Sequence, residues 1–91
     1  MGELKKLFLI EWFNTKERHG GIKYWMGVCY ENMDEYGNAF KYYLESATLR
    51  KEAENIGLQH EKTKKSIAST LHIAKHLNKE NELPDWMMQI N

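Results

Sequence analysis

Bulky apolar residues follow two kinds of spacing along this chain, and the change from one to the other divides it. From residue 33 onward they recur three and four apart: Met33, Tyr36, Phe40, Tyr43, Leu44 and Ala47 share one side of a helix, and Leu49, Ala53 and Ile56 carry the stripe on, slightly rotated. Asn32 is a favoured N-cap, Glu35 stands three residues on as in a capping box, and Asp34 and Glu35 suit the positive end of a helix dipole. Gly57 is placed to end the element. The spacing therefore predicts a helix over 33–56. A second helix follows over 60–78, with Ile67, Leu71, Ala74 and Leu77 on its inner face, packed antiparallel to the first. Residues 80–91 form a short tail in which Pro84 stops any continuing helix, and Trp86, Met87, Met88 and Ile90 need somewhere to dock.

Before residue 31 the pattern is different. Glu3 to Phe13 is nearly continuous in bulky residues, while Ile22 to Tyr30 alternates Ile22, Tyr24, Met26, Val28 and Tyr30 with Lys23, Trp25, Gly27 and Cys29. The charged segment between them ends in Gly20 and Gly21, which suits a returning loop. This predicts an antiparallel β-hairpin over 4–30, with strands 4–13 and 22–30, and an α+β fold of hairpin, two antiparallel helices and tail in one domain, 1–91. Both faces of such a hairpin are apolar and the helices cover only one, so a second copy or a target protein is expected on the other. The alternative is an all-α helical hairpin or bundle. Ile22, Met26, Cys29, Met33, Tyr36, Phe40, Tyr43 and Ala47 recur at alternating four- and three-residue steps, as in one long amphipathic helix. Gly27, the aromatic and β-branched content of 22–30, and the capping signals at Asn32 weigh against it.

Composition narrows the function classes. Apolar residues make up 42% of the 91-residue chain and charged residues 29%, a globular balance. Thirteen basic and 13 acidic side chains cancel, so no overall field attracts polyanions. Charge is nevertheless uneven: residues 59–79 hold Lys62, Lys64, Lys65, Lys75 and Lys79 against Glu61, a balance of +4, whereas 80–91 carry Glu80, Glu82 and Asp85 with no base. The single cysteine, Cys29, excludes an internal disulfide and suits a reducing, cytoplasmic setting. Leu7 to Ile10 is too short, and too soon followed by Glu11, for a signal-peptide core or membrane span.

No chemistry stands out. His72 and His76 are four apart, with Glu80 continuing the row, but they lie opposite Ile67, Leu71 and Ala74 and read as solvated surface, so no metal is expected. Cys29 lies in an aromatic segment and reads as packing, not as a nucleophile. Ser66, Ser69 and Thr70 lack any elbow context, and the glycines fit no phosphate-binding fingerprint. Neither an enzyme nor a cofactor is expected.

What exceeds a small core is the aromatic and methionine content. Phe8, Ile10, Trp12, Tyr36 and Phe40 are assigned to the core; Trp25, Cys29, Trp86, Met87 and Met88 are candidates for a protein interface. The resulting expectation is a binding protein, an adaptor, regulator or stoichiometric inhibitor of another macromolecule, with homodimerisation through the Trp25 and Cys29 face. The alternative is a nucleic-acid module using Lys62, Lys64, Lys65, Lys75 and Lys79, weakened by the neutral domain and the absence of arginine from that helix.

Overall fold

The structure, a computed structural model, describes residues 2–53 and 57–88, with side chains from residue 16 onward. Among these residues there is no strand. Helix α1 is Gly2–Asn32, α2 is Tyr36–Glu52 and α3 is Glu61–Leu77; a 3-10 turn, Glu80–Glu82, leads into the one-turn α4, Asp85–Met88. The expected β-hairpin over 4–30, and with it the α+β class, is therefore overturned: one helix runs through both expected strands and the loop between them. The all-α alternative is the fold adopted.

The glycines that argued for a hairpin explain the error. A Cβ on Gly27 would lie 2.6 Å from Cδ1 of Tyr43, and one on Gly20 would lie 2.7 Å from Cγ of Arg50. Each is the place where a large α2 side chain presses against the α1 backbone, seven residues or two helical turns apart. Glycine costs a helix about 1 kcal/mol relative to alanine, and here close packing offsets that cost. The apparent alternation of 22–30 also dissolves on a helix. Tyr24 turns inward and is buried, whereas Trp25 beside it turns out.

Two helices, not one, occupy 22–47, because the chain reverses at Met33 to Glu35. The Asp34 N–H donates to the Glu31 carbonyl (3.0 Å), the Glu35 N–H donates to the Tyr30 carbonyl (2.9 Å), and Asp34 adopts a left-handed φ of 59°. This is a Schellman-type helix end with aspartate at the position glycine usually fills. Asn32 is thus the last residue of α1 and not an N-cap. Glu35 takes that position, without a side-chain capping bond, and α2 begins three residues later than expected.

Helix α2 lies between α1 and α3. Its antiparallel register with α1 is marked by Lys16 to Glu52 (3.3 Å), Lys23 to Glu45 (3.1 Å), and the Tyr43 hydroxyl donating to Glu31 (2.6 Å). Phe40, Tyr43 and Ala47 are buried, as the α2 stripe predicts, while Met33 is exposed and Tyr36 and Leu44 pack at the edge. Helix α3 closely matches the expected 60–78. Ile67 and Ala74 are buried and Leu71 and Leu77 partly so, but Ile73 and the hydroxyls of Thr63, Ser66 and Thr70 also face in. The His60 side chain caps its start by accepting from the Lys62 N–H (3.0 Å), and left-handed Asn78 ends it, with the Lys79 N–H donating to the Ala74 carbonyl (2.8 Å). After Pro84 the tail folds back, burying Leu83 and Met87 in the core. Ile56 and Ile90, and the side chains of Phe8, Ile10 and Trp12, lie outside the described residues.

Candidate protein-docking surface

Because Gly20, Tyr24, Gly27 and Glu31 point α1 toward α2, the helical period fixes what points away: Arg18, Ile22, Trp25, Met26 and Cys29, with Met33 just past the helix end. Trp25 is 64% exposed, and Ile22 and Met33 are each 56% exposed. The Trp25 ring is held edge-on by buried Tyr24, centroids 5.7 Å apart. These residues line a groove of about 990 Å³ that extends to Arg50 and Lys62. Single exposed apolar side chains are ordinary, whereas a contiguous stripe along one helix makes this face the candidate docking surface.

The two ends of the stripe differ in charge. At one end Arg18, Arg50 and Lys62 gather around Glu17, which Lys62 approaches at 3.7 Å. At the other, Asp34 and Glu35 stand exposed at the α1–α2 turn, while Glu31 turns inward to Tyr43. Asp34 accepts from the Tyr36 hydroxyl (3.0 Å), which raises the pKa of Tyr36 above its usual value.

Arg50 anchors the basic end from beneath. It is only 7% exposed, its guanidinium carbon lies 5.0 Å from the Tyr24 ring centroid, and burial lowers its pKa from the usual value. Nη1 donates to the Lys62 carbonyl (3.0 Å) and to Ser66 Oγ (2.8 Å), whereas Nε has no partner. Ser46 donates to the Gly20 carbonyl (2.6 Å) and so accepts from Ser66, 2.9 Å away. A buried chain, Arg50 to Ser66 to Ser46 to Gly20, thereby ties α2, α3 and α1 together under the groove. Such a network fixes helix positions; it offers no nucleophile to solvent.

The expected interface residues separate on the structure. Trp25 and Cys29 come together on the exposed face of α1, with Cys29 on the surface and not in the packing role its surroundings suggested. Trp86, half-buried with Lys51 Nζ 4.6 Å from its ring, lies on the tail; Met87 is in the core, and Met88 is 55% exposed. The lysines of α3 also diverge. Lys62 turns to Glu17, Lys65 lies 5.5 Å from the Tyr24 ring and Lys79 5.9 Å from the Phe40 ring, while Lys64 and Lys75 are exposed. His72 and His76 are exposed, the latter against the Tyr36 ring at 4.3 Å, and no cluster of metal-ligating side chains occurs among the described residues.

Sequence reasoning missed Ile22, Met33 and Arg50. The signal for the first two was the four-and-three spacing of Ile22, Met26, Cys29 and Met33, which belongs to the helical alternative that Gly27 and the aromatic content of 22–30 weigh against. For Arg50 the signal was three-dimensional, since only the closeness of Gly20 places it. No helix among the described residues is long and apolar enough to cross a membrane. No protein-family model matches the chain, and no curated protein or solved structure matches it either.

Proposed function

We propose that this is a small non-enzymatic binding protein, an adaptor, regulator or stoichiometric inhibitor, that works by presenting the outer face of α1 to another macromolecule. The observation that carries this reading is the solvent-facing stripe of Ile22, Trp25, Cys29 and Met33 on a helix whose opposite side packs against α2 through Gly20, Tyr24 and Gly27. Trp and Met are enriched at interface centres, and charge at the rim supplies orientation. The free thiol of the chain's one cysteine suits work in a reducing compartment, and we place the protein in the cytoplasm.

Affinity capture from the native host, with and without nuclease, tests this. Capture lost with Trp25→Glu, insensitive to nuclease and retained when Lys62, Lys64 and Lys65 are changed together to Glu is the expected outcome. Nuclease-sensitive capture that depends on the lysines and not on Trp25 would replace this reading with nucleic-acid binding through α3.

A further inference from the structure

We infer that the outer face of α1 pairs with the same face of a second copy of this chain, the two helices running antiparallel about a two-fold axis near Met26. The inference rests on the reading of that face as a docking surface and names its occupant.

Charge complementarity selects this occupant. An apolar stripe with one basic and one acidic end is complementary to itself when reversed. From Arg18 to Asn32, where α1 ends, the stripe runs about 21 Å at the helical rise, and Met26 lies near its middle. Reversing a second copy about that point sets Arg18 opposite Asp34 of the partner subunit and, by symmetry, Asp34 opposite the partner subunit's Arg18. Ile22 then falls across from Tyr30 of the partner subunit, beside the partner's Cys29, and Met26 meets the partner's Met26. The basic end, with Lys62 beside Arg18 and Arg50 beneath them, faces the exposed Asp34 and Glu35 of the turn twice in one dimer. Parallel pairing instead sets like charge against like at both ends, which is unfavourable.

The buried Nε of Arg50 adds a second observation at the basic end. This guanidinium is nine-tenths buried and lines the groove, yet its Nε has no hydrogen-bond partner within the chain. A carboxylate brought to that end lowers the cost of holding the cation there.

Area sets the strength. From the exposures of Trp25, Ile22 and Met33 with their half-buried neighbours, the face offers on the order of 600 Å² per copy, so a symmetric pair buries roughly 1,200 Å², the lower limit for a stable specific interface. An interface at this lower limit is expected to be reversible, weakening as salt screens its ends.

Sedimentation equilibrium of the full chain from about 1 to 200 µM tests the pairing, with helical circular dichroism as a check on folding. Wild type is expected to dimerise, and Trp25→Glu, acting twice in an isologous contact, to weaken association at least ~100-fold. Arg18→Glu and Asp34→Lys are each expected to weaken it about tenfold, and the two combined in one chain to restore it to within about threefold of wild type, because only the antiparallel register re-pairs both ends. A wild type monomeric at 200 µM, a dimer indifferent to Trp25→Glu, or a combined variant no better than the weaker single one overturns the inference. If the wild type is monomeric while capture of a host macromolecule still depends on Trp25, this inference falls and the proposed function stands.

Discussion

Replacing Gly27 by alanine sets two known effects against each other at one atom. In a helix interior the change gains about 1 kcal/mol of propensity, which acting alone would raise stability. Against this, the new Cβ would lie 2.6 and 2.7 Å from Cδ1 and Cε1 of Tyr43. That ring has little room to yield. It is 2% exposed, its hydroxyl is bonded to Glu31 at 2.6 Å, and Tyr24 packs beside it with ring centroids 5.6 Å apart. Overpacking of a buried ring costs about 1–3 kcal/mol, so against that gain the net expectation is a loss of up to about 2 kcal/mol, each kcal/mol worth about 4–8 °C in Tm for a domain of this size. Gly37→Ala supplies the control, because a Cβ there meets nothing within 4 Å. It should stabilise by a few tenths of a kcal/mol, as an exposed site in a first helical turn. Thermal unfolding followed by circular dichroism, at one fixed protein concentration, measures both. A Gly27→Ala protein as stable as Gly37→Ala would refute the close approach of α1 and α2, and with it the direction in which α1 presents its outer face.

Two further perturbations probe the interior. Ser66→Ala removes the acceptor of one Arg50 bond and the donor to Ser46, both fully buried, and should cost about 1–3 kcal/mol in urea unfolding; a neutral result would mean that water replaces the chain of hydrogen bonds. Tyr43 carries a pKa raised by burial and by the Glu31 carboxylate that accepts its proton. The folded state therefore holds that proton more tightly than the unfolded chain. Its contribution is complete below the ordinary tyrosine value of about 10 and is lost as pH rises above it. Stability of the wild type should fall more steeply than that of Tyr43→Phe above pH ~10, by up to about 1.4 kcal/mol per pH unit, and parallel profiles would contradict the burial.

The helical half of the fold was legible because its signals are local. In α3, Ile67, Leu71 and Ala74 repeat at helical spacing on an otherwise polar helix, Asn78 can enter the left-handed region, and Pro84 forbids continuation, so the boundaries came out within a residue. In α1 the same reasoning failed because Gly20 and Gly27 carry two meanings. In a sequence they are turn and strand-weakening signals; against Arg50 and Tyr43 they are sockets, and only the partner helix distinguishes the two. Asn32 misled for a related reason, since good capping chemistry was present but Asp34 in the left-handed region placed the reversal after it. The candidate face was half legible. Trp25 and Cys29 were singled out for lacking cover; both are exposed, on a helix and not on the strand expected to carry them. Met33 belongs by its spacing to the inner stripe of a 33–56 helix and Ile22 by alternation to a strand, and neither pattern marks the reversal at residues 33–35. On the two sides of that turn the same periodicity faces first solvent and then the core.

Cys29 gives the most direct test of the claim that α1's outer face is a docking surface taken up by a second copy. It is the chain's one thiol and it lies exposed within the stripe, so its rate of reaction with a soluble thiol reagent reports on that face alone. The account predicts fast reaction in dilute protein, slowing over the same concentration range in which sedimentation detects the dimer, and fast at every concentration in Trp25→Glu. A dimer that forms while Cys29 reacts at an undiminished rate would place the contact elsewhere and contradict it.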